Sequence, residues 1–245
     1  MSEKRNTLGK LGPDAIGTLT LPPLAADLVE GFRALPDLTG MVSDAMDELG
    51  IVGVVPASVL RPTSRDARIV GRALTVHNVA AGASVPEAVA AGISGLGEIE
   101  AHNLAERGDV LVIQGVDGVS NLGGMSATIG HRQGEIGAVV DGGARDVDHS
   151  RTAGYPIWSR SVSPITGKWR VRTVAVNKPV TICSIAVAPG DVVLADEVGV
   201  CLIPRDRARE VLERARRNAK AEEARQAQID RGAPVSELMP KPRAK

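Results

Sequence analysis

The chain has 245 residues, 29 Lys and Arg against 29 Asp and Glu, 43% hydrophobic residues, and only one Phe, one Tyr and two Trp. Zero formal net charge removes bulk attraction to nucleic acid or anionic lipid, so few aromatics cannot build base-stacking platforms, and no apolar run nears the ~18–20 residues of a membrane span. Cys183 and Cys201 form neither a disulfide framework nor a CxxC zinc pair, and the opening MSEKRNTLGKLGPDAIG lacks the apolar stretch of a signal peptide, so a cytoplasmic location is expected.

Residues 1–23 are polar and punctuated by Gly and Pro, and are expected to form a flexible arm. Residues 24–35 (LAADLVEGFRAL) have helical spacing of apolar positions and stop at Pro36. A second helix is expected over SDAMDELG, behind Thr39 and Ser43 and closed by Gly50. IVGVVPASVLRP reads as extended chain broken by Pro56 and Pro62, and IVGRALTVHNVA alternates like a strand. Residues 84–107 look helical with glycine interruptions. GDVLVIQG is a short buried strand, VDGVSNLGG a Gly-rich loop, and MSATIGHRQG a helix opening from that loop. AVVDGG is expected to be a second buried strand and turn, ARDVDHSRTAG a short helix, and PIWSRSVSP extended chain. Residues 171–203 are strand-rich, with VTICSIAVA as one run, and a charged helix covers roughly 205–231 before a tail at 232–245. A helix between two buried strands suits a parallel pair, so residues 24–204 read as one α/β domain.

Several chemistries lack their motifs. There is no GxGxxG, Walker loop, GxSxG elbow or HExxH. His77, His102, His131 and His149 are scattered without ligand spacing, and each reads as a surface or satisfied polar residue. Lys168 and Lys178, the midchain lysines, sit beside turn-like or polar residues, unlike the desolvated lysine of a Schiff-base enzyme. What remains is the segment 108–146. In open α/β sheets ligands lie beyond the carboxyl ends of strands, and two Gly-containing turns there would share one crevice. Amides opening a helix at Gly123, Gly124, Met125 and Ser126 could bind a carboxylate, Arg145 offers a planar fork, and Asp146 a hard oxygen for a divalent ion. On spacing alone, a routine turn with Asp146 as a helix cap and Arg145 solvated explains the pattern better. The mixed-sign run RDRAREVLERARRNAKAEEAR likewise reads as a solvated helix face.

The string GAVVDGGARDVDHSRTAGYPIWSRSVSPITGKWRV, then VAPGDVVLADEVGVCLIP, with SDAMDELG, GRALTV and GDVLVIQG upstream, resembles the RraA-like family. That family groups the regulator of ribonuclease E activity with metal-dependent 4-hydroxy-4-methyl-2-oxoglutarate aldolases. The resemblance covers roughly residues 40–205 and reverses the bland reading of Arg145 and Asp146. It implies a swivelling β/β/α fold of the phosphohistidine-domain type, and a homotrimer or a hexamer with sites between subunits. It implies that Asp146 ligates Mg2+ or Mn2+, that Arg145 holds substrate, and that the amides near Gly124, Met125 and Ser126 bind a pyruvyl carboxylate. A Glu on a neighbouring subunit's C-terminal helix joins the family's metal–water network, and Glu222, with Glu223 next, fits that place. One departure stands out: Gly124 occupies the position where many aldolases carry an acid.

The resulting expectation is a divalent-metal-dependent carbon–carbon lyase acting on a small 2-oxo acid by retro-aldol cleavage, decarboxylation or both, with no nucleic-acid or membrane partner. The alternatives are a non-catalytic regulator that binds a ribonuclease or another protein, and other metal-dependent hydroxy- or oxo-acid chemistry such as dehydration, hydrolysis or tautomerisation.

Overall fold

The computed structural model describes residues 6–92 and 94–238. Helices α1 (Ala26–Arg33) and α2 (Leu38–Glu48) come first, then strands β1 (Val54–Pro56), β2 (Arg61–Pro62) and the long β3 (Ile69–Ala80). Helices α3 (Val85–Ala91) and α4 (Ile99–Leu104) lead into β4 (Asp109–Gln114), β5 (Ser120–Leu122), α5 (Gly124–Gln133) and β6 (Gly137–Ala144). Then follow α6 (Val147–Thr152), β7 (Ile157–Val162), β8 (Val171–Val176), β9 (Val180–Ile182) and β10 (Ile185–Val187). The described chain closes with β11 (Val192–Ala195), β12 (Gly199–Ile203), α7 (Ala208–Asp230) and α8 (Val235–Leu238).

One mixed sheet runs β1-β12-β11-β3-β4-β6-β7-β2, with β5 beside β6 and β8 beside β3, while β9 and β10 form a separate hairpin. Strands β3, β4, β6 and β7 are mutually parallel, and α5 makes the crossover between β4 and β6. Strand β3 explains why the sheet is covered on both sides. Val70 packs among α1, α2 and α7, Leu74 and Val76 against α4, and Ile69 and Ala73 among the hairpin side chains Val180, Ile182 and Val187. Hairpin, mixed sheet and helices give the mixed α/β domain with a C-terminal helix expected from the sequence pattern. No helix among the described residues is long and apolar enough to cross a membrane.

Three local expectations need correction. The DGG of residues 141–143 is not a turn: β6 continues through it to Ala144, with its register against β7 shifting between Val140 and Gly143. Its glycines serve close packing, because a Cβ at Gly142 would lie 2.6 Å from Asn121 Nδ2, and one at Gly143 2.5 Å from Val119 O. Helix α2 begins at Leu38, five residues before Ser43, because Asp196 accepts from Thr39 N–H (3.0 Å) and Thr39 Oγ1 (2.6 Å), capping the helix from across the chain. VTICSIAVA is two strands, broken where Cys183 and Ser184 take positive φ of 48° and 70°.

Residues 6–23 lie against the domain. Glu100 accepts from the amides of Leu8 (2.9 Å) and Lys10 (2.6 Å), and Gly17 N–H donates to Val176 O at 2.9 Å. At the amino end of β4, Arg72 and Asp109 form a buried two-point ion pair, Nε–Oδ1 2.7 Å and Nη2–Oδ2 3.0 Å.

Candidate active site

Parallel β5 and β6 end side by side, with Leu122 opposite Ala144. The Arg145 amide donates to Leu122 O at 3.0 Å, and the chain then turns at Asp146, whose φ of 55° and ψ of 43° are left-handed. That conformation costs a non-glycine residue on the order of 1–3 kcal/mol and clusters at functional sites. Here it folds the carboxylate back onto the opposite strand end. Asp146 Oδ2 accepts from Gly124 N–H at 3.0 Å and lies 3.4 Å from Arg145 Nε.

Facing it, α5 opens with Gly123 as N-cap. Gly124 N–H is taken by Asp146, whereas the amides of Met125 and Ser126 make no hydrogen bond among the described residues. Unpartnered amides at the positive end of a helix favour an anion. Between the two strand ends lies a cavity of about 260 Å³. Gly123, Gly124, Met125, Ser126, Arg145 and Asp146 all line it, joined by Glu98, Thr166 and Lys168 from the opposite connections. The six cavity residues singled out from the sequence therefore meet on one wall. Glu222 and Glu223 do not join them on the same chain: they line a larger groove of about 840 Å³ between α1 and α7, which shares no residue with this cavity.

Asp146 suits a hard, hydrated cation. Its side chain is 45% exposed, and Oδ1 has no hydrogen-bond partner among the described residues. No group of three or more His, Cys, Asp and Glu able to hold a metal gathers among the described residues. One carboxylate with room for water is a donor that could hold a hard divalent cation in a largely hydrated shell.

Gly124 has a steric reason to be glycine. A Cβ there would lie 2.8 Å from His149 Cγ, 2.9 Å from His149 Cβ and 3.0 Å from Asp146 Cβ. The His149 ring, held by Thr128 Oγ1 at 2.9 Å, closes the space an acidic side chain would need. Gly124→Asp is therefore expected to lower stability by about 1–3 kcal/mol, the usual cost of overpacking, and Gly124→Asp/His149→Ala to recover only part of it, because the His149 Cβ at 2.9 Å remains. Chemical denaturation of the two variants checks this; an undiminished midpoint for Gly124→Asp alone would contradict the clash.

Other side chains narrow the chemistry. Burial raises the Cys183 thiol to about 11 and the Cys201 thiol to about 12, with the Asp141 and Asp196 charges respectively adding to it, so neither is a ready thiolate. Lys168 reaches the cavity but is exposed, with Nζ 4.4 Å from the Trp169 ring centroid, unlike a desolvated Schiff-base amine. Burial, above all else, raises the Glu98 carboxyl.

Two cavity-side groups escaped sequence reasoning. Glu98 was unremarkable inside a helical run, and its only signal was its place four residues before His102. His102 is buried rather than scattered: Nε2 lies 2.7 Å from Ser126 Oγ and Nδ1 2.7 Å from Glu135 Oε1. It is a satisfied polar residue, but one whose partner faces the cavity.

Comparison with known proteins agrees with this architecture. A protein of Halalkalibacterium halodurans with the provisional name 4-hydroxy-4-methyl-2-oxoglutarate aldolase is 29% identical over 209 residues, covering 83% of this chain and 89% of that one. A crystal structure of an uncharacterized protein from Pseudomonas syringae pv. tomato superposes with a TM-score of 0.74 at 27% identity, covering 89% of this chain and 98% of that one. The Streptomyces coelicolor protein RraAS2, described as an unusual member of the RNase ES inhibitor RraA family, superposes with a TM-score of 0.68 at 25% identity, covering 84% of this chain and 99% of that one. The family model for RraA-like proteins, described as aldolase/RraA, matches residues 39–202, and the chain belongs to that family.

Proposed function

We propose that the protein is a divalent-metal-dependent carbon–carbon lyase that cleaves or decarboxylates a small 2-oxo acid and releases pyruvate. The observation that carries this reading is the meeting, in one cavity of about 260 Å³, of the unpartnered Met125 and Ser126 amides with Arg145 and Asp146. The size suits a small acid, and the two amides grip its carboxylate, which fixes the direction of the scissile bond. Arg145 lends a guanidinium to the charge that develops as the bond breaks. Asp146, pinned through Oδ2 by Gly124 N–H, keeps Oδ1 for a cation. When bound, Mg2+ or Mn2+ supplies Lewis-acid stabilisation of the enolate charge, a need common to retro-aldol cleavage and decarboxylation. The aldolase name given to the Halalkalibacterium relative supports the same class. Glu222 would enter from a neighbouring subunit of a trimer or hexamer, since its own chain holds it in a separate groove.

The test is pyruvate release from oxaloacetate and from 4-hydroxy-2-oxo acids. Turnover should vanish with chelator, return with Mg2+ or Mn2+, and survive borohydride added with substrate. Absence of turnover on all of them, with tight ribonuclease capture instead, would favour the regulator reading. Arg145→Lys should lower kcat/KM by roughly 10–100-fold, because a point charge does not reproduce a planar fork; near-normal kinetics would remove Arg145 from substrate binding.

A further inference from the structure

The position that holds an acid in many aldolases is glycine here, which leaves the lyase without an evident proton carrier. A buried chain of four polar side chains ends at the same cavity. Tyr155 Oη donates to Glu135 Oε2 at 2.6 Å, Glu135 Oε1 lies 2.7 Å from His102 Nδ1, and His102 Nε2 lies 2.7 Å from Ser126 Oγ. His102 is 1% exposed and Glu135 and Tyr155 are fully buried, whereas Ser126, at 9%, lines the cavity. Ser126 also sits in the first turn of α5, among the amides assigned to the substrate carboxylate.

The chain has a direction. Burial first, and the Glu135 charge next, hold the Tyr155 phenol well above its ordinary value, so it remains a donor. Glu135 then accepts from Tyr155 on one oxygen and from His102 Nδ1–H on the other, which leaves Nε2 as the acceptor for the Ser126 hydroxyl proton. Ser126 Oγ has one proton for two acceptors, His102 Nε2 at 2.7 Å and Glu98 Oε1 at 3.5 Å, and the shorter contact takes it. The backbone makes room for this arrangement: a Cβ at Gly130 would lie 2.4 Å from Glu135 Oε2 and 3.1 Å from His102 Cε1. A buried ionic and polar network in an otherwise Val-, Leu- and Ala-rich layer is costly unless it is fully partnered, and this one is.

We propose that Ser126 carries the proton of the reaction, with His102 as its base and with Glu135 and Tyr155 as positioning residues that orient the imidazole. The proposal rests on the lyase reading and deepens it. In retro-aldol cleavage the substrate hydroxyl gives its proton to Ser126 Oγ as the serine proton passes to His102 Nε2. The O–H pair forms the new carbonyl, the carbon–carbon bond breaks, and its electrons enter the enolate. The imidazolium, beside Glu135, then returns its proton through Ser126 to the enolate carbon, giving the pyruvate methyl group. Every proton and electron pair is accounted for, and the relay ends as it began. The titratable groups around His102 are Glu135 and Tyr155 behind it and Glu98 across Ser126, with Lys10 acting on Glu98.

Two readouts on the full chain test this. The first is the downfield proton resonance of a strongly hydrogen-bonded imidazole N–H, assigned by its loss in His102→Gln and followed as oxalate with Mg2+ fills the cavity. The second is exchange of the pyruvate methyl protons in D2O with Mg2+. Ser126→Ala should slow exchange by about 100-fold or more, the usual scale of general acid–base catalysis, with oxalate affinity changed less than about threefold on the same scale of comparison. Ser126→Thr, which keeps the hydroxyl, should restore much of the rate. A resonance that oxalate leaves unmoved, or Ser126→Ala exchange at the wild-type rate, would overturn the relay. If the wild-type protein exchanges nothing and releases no pyruvate, the lyase reading fails and the relay falls with it; wild-type exchange that Ser126→Ala leaves at full rate overturns the relay alone.

Discussion

Asp146→Asn should keep its fold and lose metal-dependent turnover by about 10³-fold, equivalent to roughly 4 kcal/mol of transition-state stabilisation. The substitution isolates charge. Asparagine tolerates the left-handed backbone found at this position, and its side-chain oxygen can still accept from the Gly124 amide that now binds Oδ2. What disappears is the negative oxygen that a hard divalent cation requires. Paired measurements distinguish the cause: kcat/KM for pyruvate release should collapse, Mg2+ or Mn2+ binding by calorimetry should weaken in parallel, and the unfolding midpoint should barely move. Turnover within about threefold of wild type would remove Asp146 from the mechanism.

The largest effect on stability is expected at the other end of the sheet, far from the chemistry. Asp109→Ala should destabilise the protein by about 3–5 kcal/mol, because it strands the buried Arg72 guanidinium. Both carboxylate oxygens of Asp109 contact Arg72, and Oδ2 also accepts from Glu106 N–H at 2.8 Å. Asp109 is 1% exposed and Arg72 4%, so the intact pair is shielded from solvent. Arg72 keeps Leu21 O and Glu106, which anchors the segment preceding α1 but does not neutralise the inner face of the guanidinium. Replacing both partners by Leu should recover most of the loss, since a matched apolar pair avoids the stranded charge. Urea unfolding at one fixed protein concentration is the measurement, because subunit association would otherwise shift apparent stability. A loss below about 1 kcal/mol for Asp109→Ala would show that this pair is not needed to hold β3 to β4.

Much of this architecture is legible in the sequence because it is written in local patterns. The parallel pair β4 and β6 with α5 between them follows from two short apolar runs flanking a helical one. The cavity wall follows from placing the residues after those runs at the carboxyl ends of strands. What escaped is long-range. Helix α2 starts early because its cap, Asp196, is 157 residues away. The glycines of DGG read as turn residues, yet they admit Asn121 and Val119 against a continuous strand, a contact no local pattern announces. His102 looked isolated because Ser126 and Glu135 stand 24 and 33 positions downstream. The same holds for Gly124, whose missing side chain is explained only by His149 folding over it.

The most direct measurement is a crystal structure of the full chain soaked with Mg2+ and oxalate, a stable stand-in for the pyruvate enolate. The ion should bind Asp146 Oδ1 with water completing most of its shell, and oxalate should chelate it while a carboxylate oxygen accepts from the Met125 and Ser126 amides and Arg145 closes over the other end. Oxalate bound elsewhere, or an ion seated in this cavity without Asp146, would contradict the proposed chemistry.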